Sequence, residues 1–445
     1  MKLTMANALT IAGSDSVGGA GLQADLKAFE ALGIHGCTVV TCVTSQNTKR
    51  VSSIFPIPSS HVASQLDSVL EDVHLDAIKT GMLYSADIVK TVASRLKKVG
   101  GSLVVDPVMT ATTGSSLHTE GFVDALVTKL LPISTLVTPN LNEASRLSGV
   151  KITDEKSAKI AGREILELGP KAVLLKGGHL KEVEAVDYLF VGNRTTKISS
   201  PRVQVEVHGT GCTLGALIAG HVALGLKLEE AVRRSKGMIY KAILARERVG
   251  AGVPCANPLA VLRIEAGKAQ MLENLEDVGR SLESLLDAAL IPEVGTNIGH
   301  AVLGALEPDE VAAFDGRIVR VGLKARKVGS ARFGASKHVA RIVLAASSHD
   351  PNARCAMNLK YSEVNLKACR KANLSVSTFD RAEEPRGVSS MTWGVHEAIR
   401  AYGSVPDVIY DTGGVGKEPM IRLLGESPED VLSKLKRIKA RQTPG

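Results

Sequence analysis

Nowhere in the 445-residue chain do apolar residues run for the 18 or so positions that a membrane span needs; the nearest approach, residues 213–226, is interrupted by His221 and by glycines. Aromatic residues make up only 3% of the chain, and the excess of positive charge (+8) is scattered rather than gathered in one stripe. Stacking platforms for bases are therefore missing, and no nucleic-acid or membrane partner is expected. The six cysteines (Cys37, Cys42, Cys212, Cys255, Cys355, Cys369) include no CxxC pair, which excludes a zinc knuckle and a disulfide framework. Any functional cysteine must act as a thiol. The pattern GxxxxGK[ST] is absent, so a P-loop nucleotide site is excluded. The first residues, Met1 to Met5, carry no signal-peptide apolar core, which implies a cytoplasmic protein.

What is present is a globular composition, 44% hydrophobic and 22% charged, long enough for two or three domains. Apolar, β-rich runs at residues 8–12, 38–43, 77–80, 103–105, 135–137 and 172–175 alternate with amphipathic helical segments. That alternation predicts an α/β fold, a three-layer α/β/α sandwich around a mostly parallel sheet. Runs at 187–191 and 195–198 bracket Gly192-Asn193 and read as a hairpin, followed by helices at 213–224 and 228–247. A Gly/Pro-rich stretch at 249–254 marks a boundary. Beyond it Leu272, Leu275, Val278, Leu282, Leu285, Leu286 and Ala289 form one helical stripe, on a connector, on the first helix of the next domain, or at a subunit interface. A second, smaller α/β domain follows, with strands at 317–321, 356–359 and 408–410 and helices at 336–346 and 391–401.

Four segments of the first part end strands or begin helices. Gly13 to Gly21 holds four glycines before a helix, a place where backbone amides approach a ligand. His208-Gly209-Thr210-Gly211-Cys212 opens a long apolar helix, where amides can stabilise charge on a transferring phosphoryl group and the helix dipole is expected to lower the Cys212 pKa. Asp106 and Glu143 follow adjacent strands, and two such carboxylates suit hydrated Mg²⁺. Lys176-Gly177-Gly178-His179 offers a cation to nucleotide phosphates. Each alone also describes an ordinary turn; four at strand ends of one domain point to a site.

Together these segments resemble the ribokinase-like superfamily and, within it, the hydroxymethylpyrimidine and hydroxymethylpyrimidine-phosphate kinases of thiamine biosynthesis. The motifs that carry the resemblance are ALTIAGSDSVGGAGLQAD at 8–25, Gln46-Asn47-Thr48, Lys79-Thr80-Gly81-Met82, Asp106-Pro107-Val108-Met109, KGGH at 176–179 and His208 to Cys212. It spans residues 5 to about 262, which divides the chain into 1–262 and 263–445, with 263–290 as connector or first helix. The resemblance implies that Gly13, Asp25, Gln46, Met82 and Val108 line the pyrimidine pocket, with Gln46 pairing the aminopyrimidine edge. It implies that Cys212 accepts the proton of the acceptor hydroxyl and that the Gly209, Thr210 and Gly211 amides form an anion hole. Asp106, Asn140, Glu143 and Lys176 would hold Mg-ATP, the two carboxylates through water. One site would phosphorylate the alcohol and then its monophosphate. Some pyridoxal kinases share the pattern, so a B6 vitamer is the rival substrate, and such kinases are often homodimers.

In the second part, Lys337, His338 and Arg341 lie in the first turns of a helix, where cations oppose the dipole unless an anion binds. Arg317 and Arg320, read on one strand, should point oppositely, so one of them faces the site. Asp411-Thr412-Gly413-Gly414-Val415-Gly416-Lys417 suits a phosphate. Through GRIVRVG, FGASKHVARIVLAA, AMNLKYS and DTGGVGKEPMIRLLG this part resembles the thiamine-phosphate synthase domain found fused behind such kinases. The resemblance implies that the pyrimidine diphosphate loses pyrophosphate and joins hydroxyethylthiazole phosphate. His338 and Arg317 would be the principal residues, with Lys337, Arg341, Arg320, Gly413, Gly414 and Lys417 at the phosphates. Related domains also serve as sensors of thiamine phosphates in transcription regulators, which leaves a kinase with a sensing domain as the alternative.

Overall fold

The computed structural model describes residues 5–110, 117–177, 184–385, 390–414 and 416–442. The Gly178-His179 pair of the lysine motif and Val415 of the glycine-rich motif lie outside the described residues. The chain divides into two compact units, Met1–Leu262 and Arg263–Gly445.

The first unit is built on nine strands: β1 (Asn7–Ser14), β2 (His35–Gln46), β3 (Val51–Pro56), β4 (Ala77–Thr80), β5 (Ser102–Val105), β6 (Leu136–Val137), β7 (Ala172–Lys176), β8 (Glu184–Val191) and β9 (Arg194–Pro201). They run in the order β3-β2-β1-β4-β5-β6-β7-β8-β9. The six strands from β2 through β1 to β7 are parallel, while β3, β8 and β9 join antiparallel. Successive residues of each strand point to opposite faces. Leu9, Ile11, Ile78, Val105, Val137 and Val173 therefore enter one core, and Ala8, Ala77, Val104, Leu136 and Ala172 the other. Helices α1 (Gly21–Ala31), α7 (Thr210–Ala223) and α8 (Leu228–Leu244) cover the second face; α2 (Ser59–Asp72), α3 (Ala86–Leu96), α4 (Phe122–Ala125), α5 (Leu141–Ser148) and α6 (Glu155–Glu167) cover the first. This is the three-layer sandwich that the alternation of strands and helices predicts. The order reverses direction at β1, which puts a crevice between the carboxyl ends of β1 and β4.

The second unit contains β10 (Ile298–Ala301), β11 (Val311–Phe314), β12 (Ile318–Val321), β13 (Lys324–Lys327), β14 (Ala331–Phe333), β15 (Cys355–Lys360), β16 (Val376–Thr378), β17 (Val408–Asp411) and β18 (Met420–Gly425). Seven of them form a sheet ordered β14-β11-β10-β15-β18-β17-β16, antiparallel except for β16 beside β17, and β12 pairs with β13 as a separate hairpin. Helix α9 (Ala260–Leu285), with α11 (Glu363–Lys371) and α13 (Pro428–Lys439), covers one face; α10 (Lys337–His349) and α12 (Ser390–Tyr402) cover the other. Much of the helical stripe is used within the unit itself. Leu275, Val278 and Leu282 are buried in this unit's own core, and Gly279 lets α9 close on Phe314, where a Cβ would come within 2.5 Å of the ring. Burying each such leucine is worth roughly 1.5–3 kcal/mol, enough to make α9 the first helix of this unit rather than a free connector.

Candidate functional site

The carboxyl ends of β1, β2, β4, β5 and β7 and the start of α7 surround one cavity of about 730 Å³. It gathers Gly13, Gln46, Met82, Val108, Asp106, Asn140, Glu143, Lys176 and Gly209 to Cys212 from segments far apart in sequence. Asp25 is the exception among the residues expected to line it: it is wholly buried, in an ion pair with Lys79. Lys79 itself reaches the cavity wall, a contribution that the sequence motif did not disclose.

Glycines shape the entrance. Gly209 precedes α7 at φ +80°, and a Cβ there would fall 1.7 Å from the Gly19 carbonyl oxygen. Gly21 at φ +57° is equally tied to the Gly13 carbonyl. The chain can bring the Gly13–Gly21 loop and the first turn of α7 together only without side chains at these points. Gly211 faces Lys176 Nζ and Asp106, so the α7 amides open onto the cation and the carboxylate.

Lys176 Nζ donates to Asp106 Oδ1 at 2.9 Å, and Thr138 Oγ1 donates to the same oxygen at 3.2 Å. Burial opposes ionisation of Asp106, but Lys176 and Lys79 overcome it and hold the carboxyl below the usual range. Glu143 closes a capping box with Asn140, Glu143 N to Asn140 Oδ1 at 2.9 Å and Asn140 N to Glu143 Oε2 at 2.8 Å. Asn140 is thus a helix cap that aims Glu143 inward. Burial, with Asp106 adding to it against the pull of Lys176, raises the Glu143 carboxyl to about 7. Two carboxyls that disfavour each other's charge suit a divalent cation. Among the described residues no group of three or more His, Cys, Asp or Glu is placed to hold a metal, so a cation here would complete its shell from water and phosphate oxygens.

Cys212 corrects an expectation. Burial pushes its thiol up to about 11, with Lys79 and the Gly21 amide favouring the thiolate and Asp106 and Asp25 opposing it. The thiol at the start of α7 is thus raised by its enclosure rather than lowered.

In the second unit the histidine and arginines converge. His338, in the first turn of α10, has a buried Nε2 with no hydrogen-bond partner among the described residues. Burial, joined by the charges of the neighbouring Arg422, Arg317, Arg381 and Arg341, lowers its pKa to about 4. Asp411 at the end of β17 binds two of these: Arg422 Nη2 donates to its Oδ2 at 2.8 Å and Arg381 donates to both oxygens. Arg422 is fully buried, and its Nε and Nη1 have no hydrogen-bond partner among the described residues. Arg317 is not on a strand: it precedes β12 with φ +69°, and its guanidinium donates to the Val294 carbonyl. Arg320, on β12, is exposed and pairs across to Ala325; Arg317 is exposed as well, but of the two it is the one whose charge acts on His338. Lys337 and Arg341 are exposed on α10. Gly413, at φ +83°, donates its amide to Asp411 Oδ1 at 2.9 Å, Gly414 follows it, and Lys417 pairs with Glu384 at 2.7 Å. Arg422 was missed in the sequence, although a lone arginine in the apolar strand MIRLLG was the signal.

Residues 15–257 match the phosphomethylpyrimidine kinase family, and residues 274–437 match the family described as thiamine-phosphate synthase ThiN. The chain is 34% identical over 433 residues to the bifunctional thiamine biosynthesis protein ThiDN of Methanocaldococcus jannaschii, covering 97% of this chain and 98% of that one. It is 43% identical over 247 residues to the hydroxymethylpyrimidine/phosphomethylpyrimidine kinase of Rhizobium meliloti, covering 55% of this chain and 93% of that one. Among solved structures, the pyridoxal kinase of Staphylococcus aureus in complex with AMP-PCP and pyridoxal is 33% identical with a TM-score of 0.55, covering 59% of this chain and 96% of that one.

Proposed function

Because the chain belongs to the phosphomethylpyrimidine kinase family, in the two-domain form that ends in a thiamine-phosphate synthase ThiN domain, we propose a division of labour among its residues. The protein is an enzyme of thiamine biosynthesis with pyrimidine kinase and thiamine-phosphate synthase roles. In this reading residues 1–262 carry the kinase and 263–445 the synthase, and the protein works in the cytoplasm on small-molecule substrates; no helix among the described residues is long and apolar enough to cross a membrane.

The observation that carries the kinase assignment is the single cavity that joins Gln46, Met82 and Val108 to Cys212 and to Lys176, Asp106 and Glu143. Gln46 pairs the ring of hydroxymethylpyrimidine between Met82 and Val108. Its hydroxymethyl oxygen attacks the γ-phosphorus of ATP, the bond to the β-phosphate oxygen breaks, and the hydroxyl proton passes to Cys212 Sγ, which reacts from the small thiolate fraction that a pKa of about 11 leaves at neutral pH. The Gly209, Thr210 and Gly211 amides take up charge on the transferring phosphoryl oxygens, and Lys176 holds the phosphates against Asp106. Asp106 and Glu143 would hold Mg²⁺, which would supply charge neutralisation at the phosphates. The monophosphate then re-enters with its phosphate in the acceptor position. Pyridoxal is the second candidate for this cavity, favoured by the likeness to pyridoxal kinases.

In the second unit, Arg317, Arg341, Arg381 and Arg422 hold the leaving pyrophosphate. The C–O bond from the pyrimidine methylene to pyrophosphate breaks as the thiazole nitrogen forms a C–N bond to that carbon. The nitrogen becomes quaternary, so no proton moves at the reacting atoms, and a neutral His338 serves as a hydrogen-bonding rather than a basic group.

The test is a coupled assay of the full chain with hydroxymethylpyrimidine, Mg-ATP and hydroxyethylthiazole phosphate, read by mass spectrometry. Thiamine phosphate is expected, with pyrimidine diphosphate accumulating in His338→Ala. Diphosphate without thiamine phosphate in the unmutated chain would make the second unit a sensor; pyridoxal turned over in preference would replace the pyrimidine.

A further inference from the structure

His208 stands where three parts of the first-unit cavity meet. Its Nε2 lies 3.0 Å from Asp15 Oδ2 and 3.1 Å from one end of the Gln46 side-chain amide. Asp15 also takes the Gly19 and Ala20 amides at 3.0 and 2.8 Å and the Val17 amide at 3.1 Å. Burial works against the Asp15 charge, but the bond from His208 and the backbone amides overcome it and keep the carboxyl below the usual range.

An ionised carboxylate only accepts, so His208 Nε2 must carry the proton. With its lone pair gone, Nε2 cannot accept from Gln46, and the end of the amide beside it must be the oxygen. The opposite end gives the same answer. Thr44 Oγ1 donates its one proton to the Ser14 carbonyl at 2.9 Å and lies 3.4 Å from that second end. Having used its proton, the hydroxyl can only accept there, so that end must be the NH₂ group.

Two independent neighbours thus impose one orientation on Gln46. One lone pair on Oε1 and one N–H on Nε2 remain for a ligand, side by side and in fixed order. We infer that His208, held by Asp15, is the positioning residue that sets the hydrogen-bonding register of Gln46 and hence which ring edge the cavity accepts. The accepted edge is an exocyclic amine beside an unprotonated ring nitrogen; a carbonyl beside a ring N–H meets the same amide with like groups opposed. A ring cannot turn over to escape this, because its hydroxymethyl arm has to reach Cys212. The inference rests on the reading of Gln46 as the group that pairs the pyrimidine.

The experiment compares kcat/KM for 4-amino-5-hydroxymethyl-2-methylpyrimidine and its 4-oxo analogue in the full chain, in His208→Leu, in His208→Gln and in Thr44→Val. A mismatched hydrogen bond is worth about ten-fold. The preference for the amine is expected to fall about ten-fold in His208→Leu and in Thr44→Val. His208→Gln, whose amide N–H reaches the place of Nε2, is expected to retain it. A merely structural role of His208 would lower turnover of both compounds and leave their ratio alone. A ratio unchanged in His208→Leu and Thr44→Val overturns the assignment while leaving the kinase reading intact. A parent chain that phosphorylates neither pyrimidine overturns that reading instead. If His208→Leu does not fold, Thr44→Val, which keeps the whole first turn of α7, decides alone.

Discussion

Lys79 Nζ lies 2.9 and 2.8 Å from the two carboxylate oxygens of Asp25, and solvent reaches neither side chain. Thr10 Oγ1 donates to the same carboxylate at 2.6 Å. The pair links β4 to α1 beneath the cavity, and the favourable field of Asp25 keeps the Lys79 ammonium charged in spite of its burial. A buried charge that loses its partner is strongly destabilising, whereas removing both is far milder. Lys79→Met is therefore expected to cost about 3–5 kcal/mol in urea unfolding of the full chain. Asp25→Leu with Lys79→Met should recover most of that; a double variant as unstable as the single would show that the pair is not what the fold depends on.

Cys212 should behave as a weakly acidic thiol. With a pKa of about 11, its thiolate fraction grows ten-fold per pH unit across the neutral and mildly alkaline range. Alkylation of the Cys212 peptide by iodoacetamide, followed by mass spectrometry, should rise with pH to about 11. A plateau near pH 8 would restore the helix dipole as the dominant influence. Cys212→Ser is expected to lower both phosphorylations by about 10²–10⁴-fold, and undiminished turnover would remove the thiol from the mechanism.

Glu143 links the metal to pH. Its folded pKa of about 7 lies above the ordinary 4.5, so the folded chain holds a proton there that the unfolded chain has lost. Its contribution to stability is present below about pH 4.5 and disappears as pH rises through about 7. A cation bound to the carboxylate must expel that proton. Mg²⁺ affinity should increase with pH up to about 7 and then level, and calorimetry in buffers of different ionisation enthalpy should show proton release at pH 6 that Glu143→Gln abolishes. Identical enthalpies in all buffers would place the cation elsewhere.

His338 carries the opposite sign. Its pKa of about 4 lies below the ordinary 6.5, so its contribution to stability is present at neutral pH and is lost as pH falls from 6.5 toward 4. Imidazole ¹⁵N spectra should show a neutral ring at pH 6. Added pyrophosphate should move its titration upward by offsetting the surrounding arginine charge; an unmoved titration would separate His338 from the anion site.

The βα alternation and the cavity motifs were legible because each is local: an apolar run of four or five residues becomes a buried strand, and small residues after it become a turn. Nearly all the residues singled out in the first unit meet in one cavity, since parallel strands deliver their carboxyl ends to one edge. Arg317 was misplaced on a strand because nothing in GRIVRVG announces a left-handed residue. Arg422 was missed because its partner, Asp411, sits on a neighbouring antiparallel strand and its role shows only in the pairing.

The order of apolar runs and glycines by itself determined the layered first unit, the boundary after the Gly/Pro stretch and the identity of the groups available for phosphoryl transfer. Tertiary structure alone decided how those groups are charged and which way they face. It sank Asp25 under the cavity with Lys79, raised the Cys212 thiol, set Glu143 near neutrality and turned the Gln46 amide through His208. Those outcomes depend on burial and on charges dozens of residues away, and a linear pattern carries neither the dielectric nor the distance.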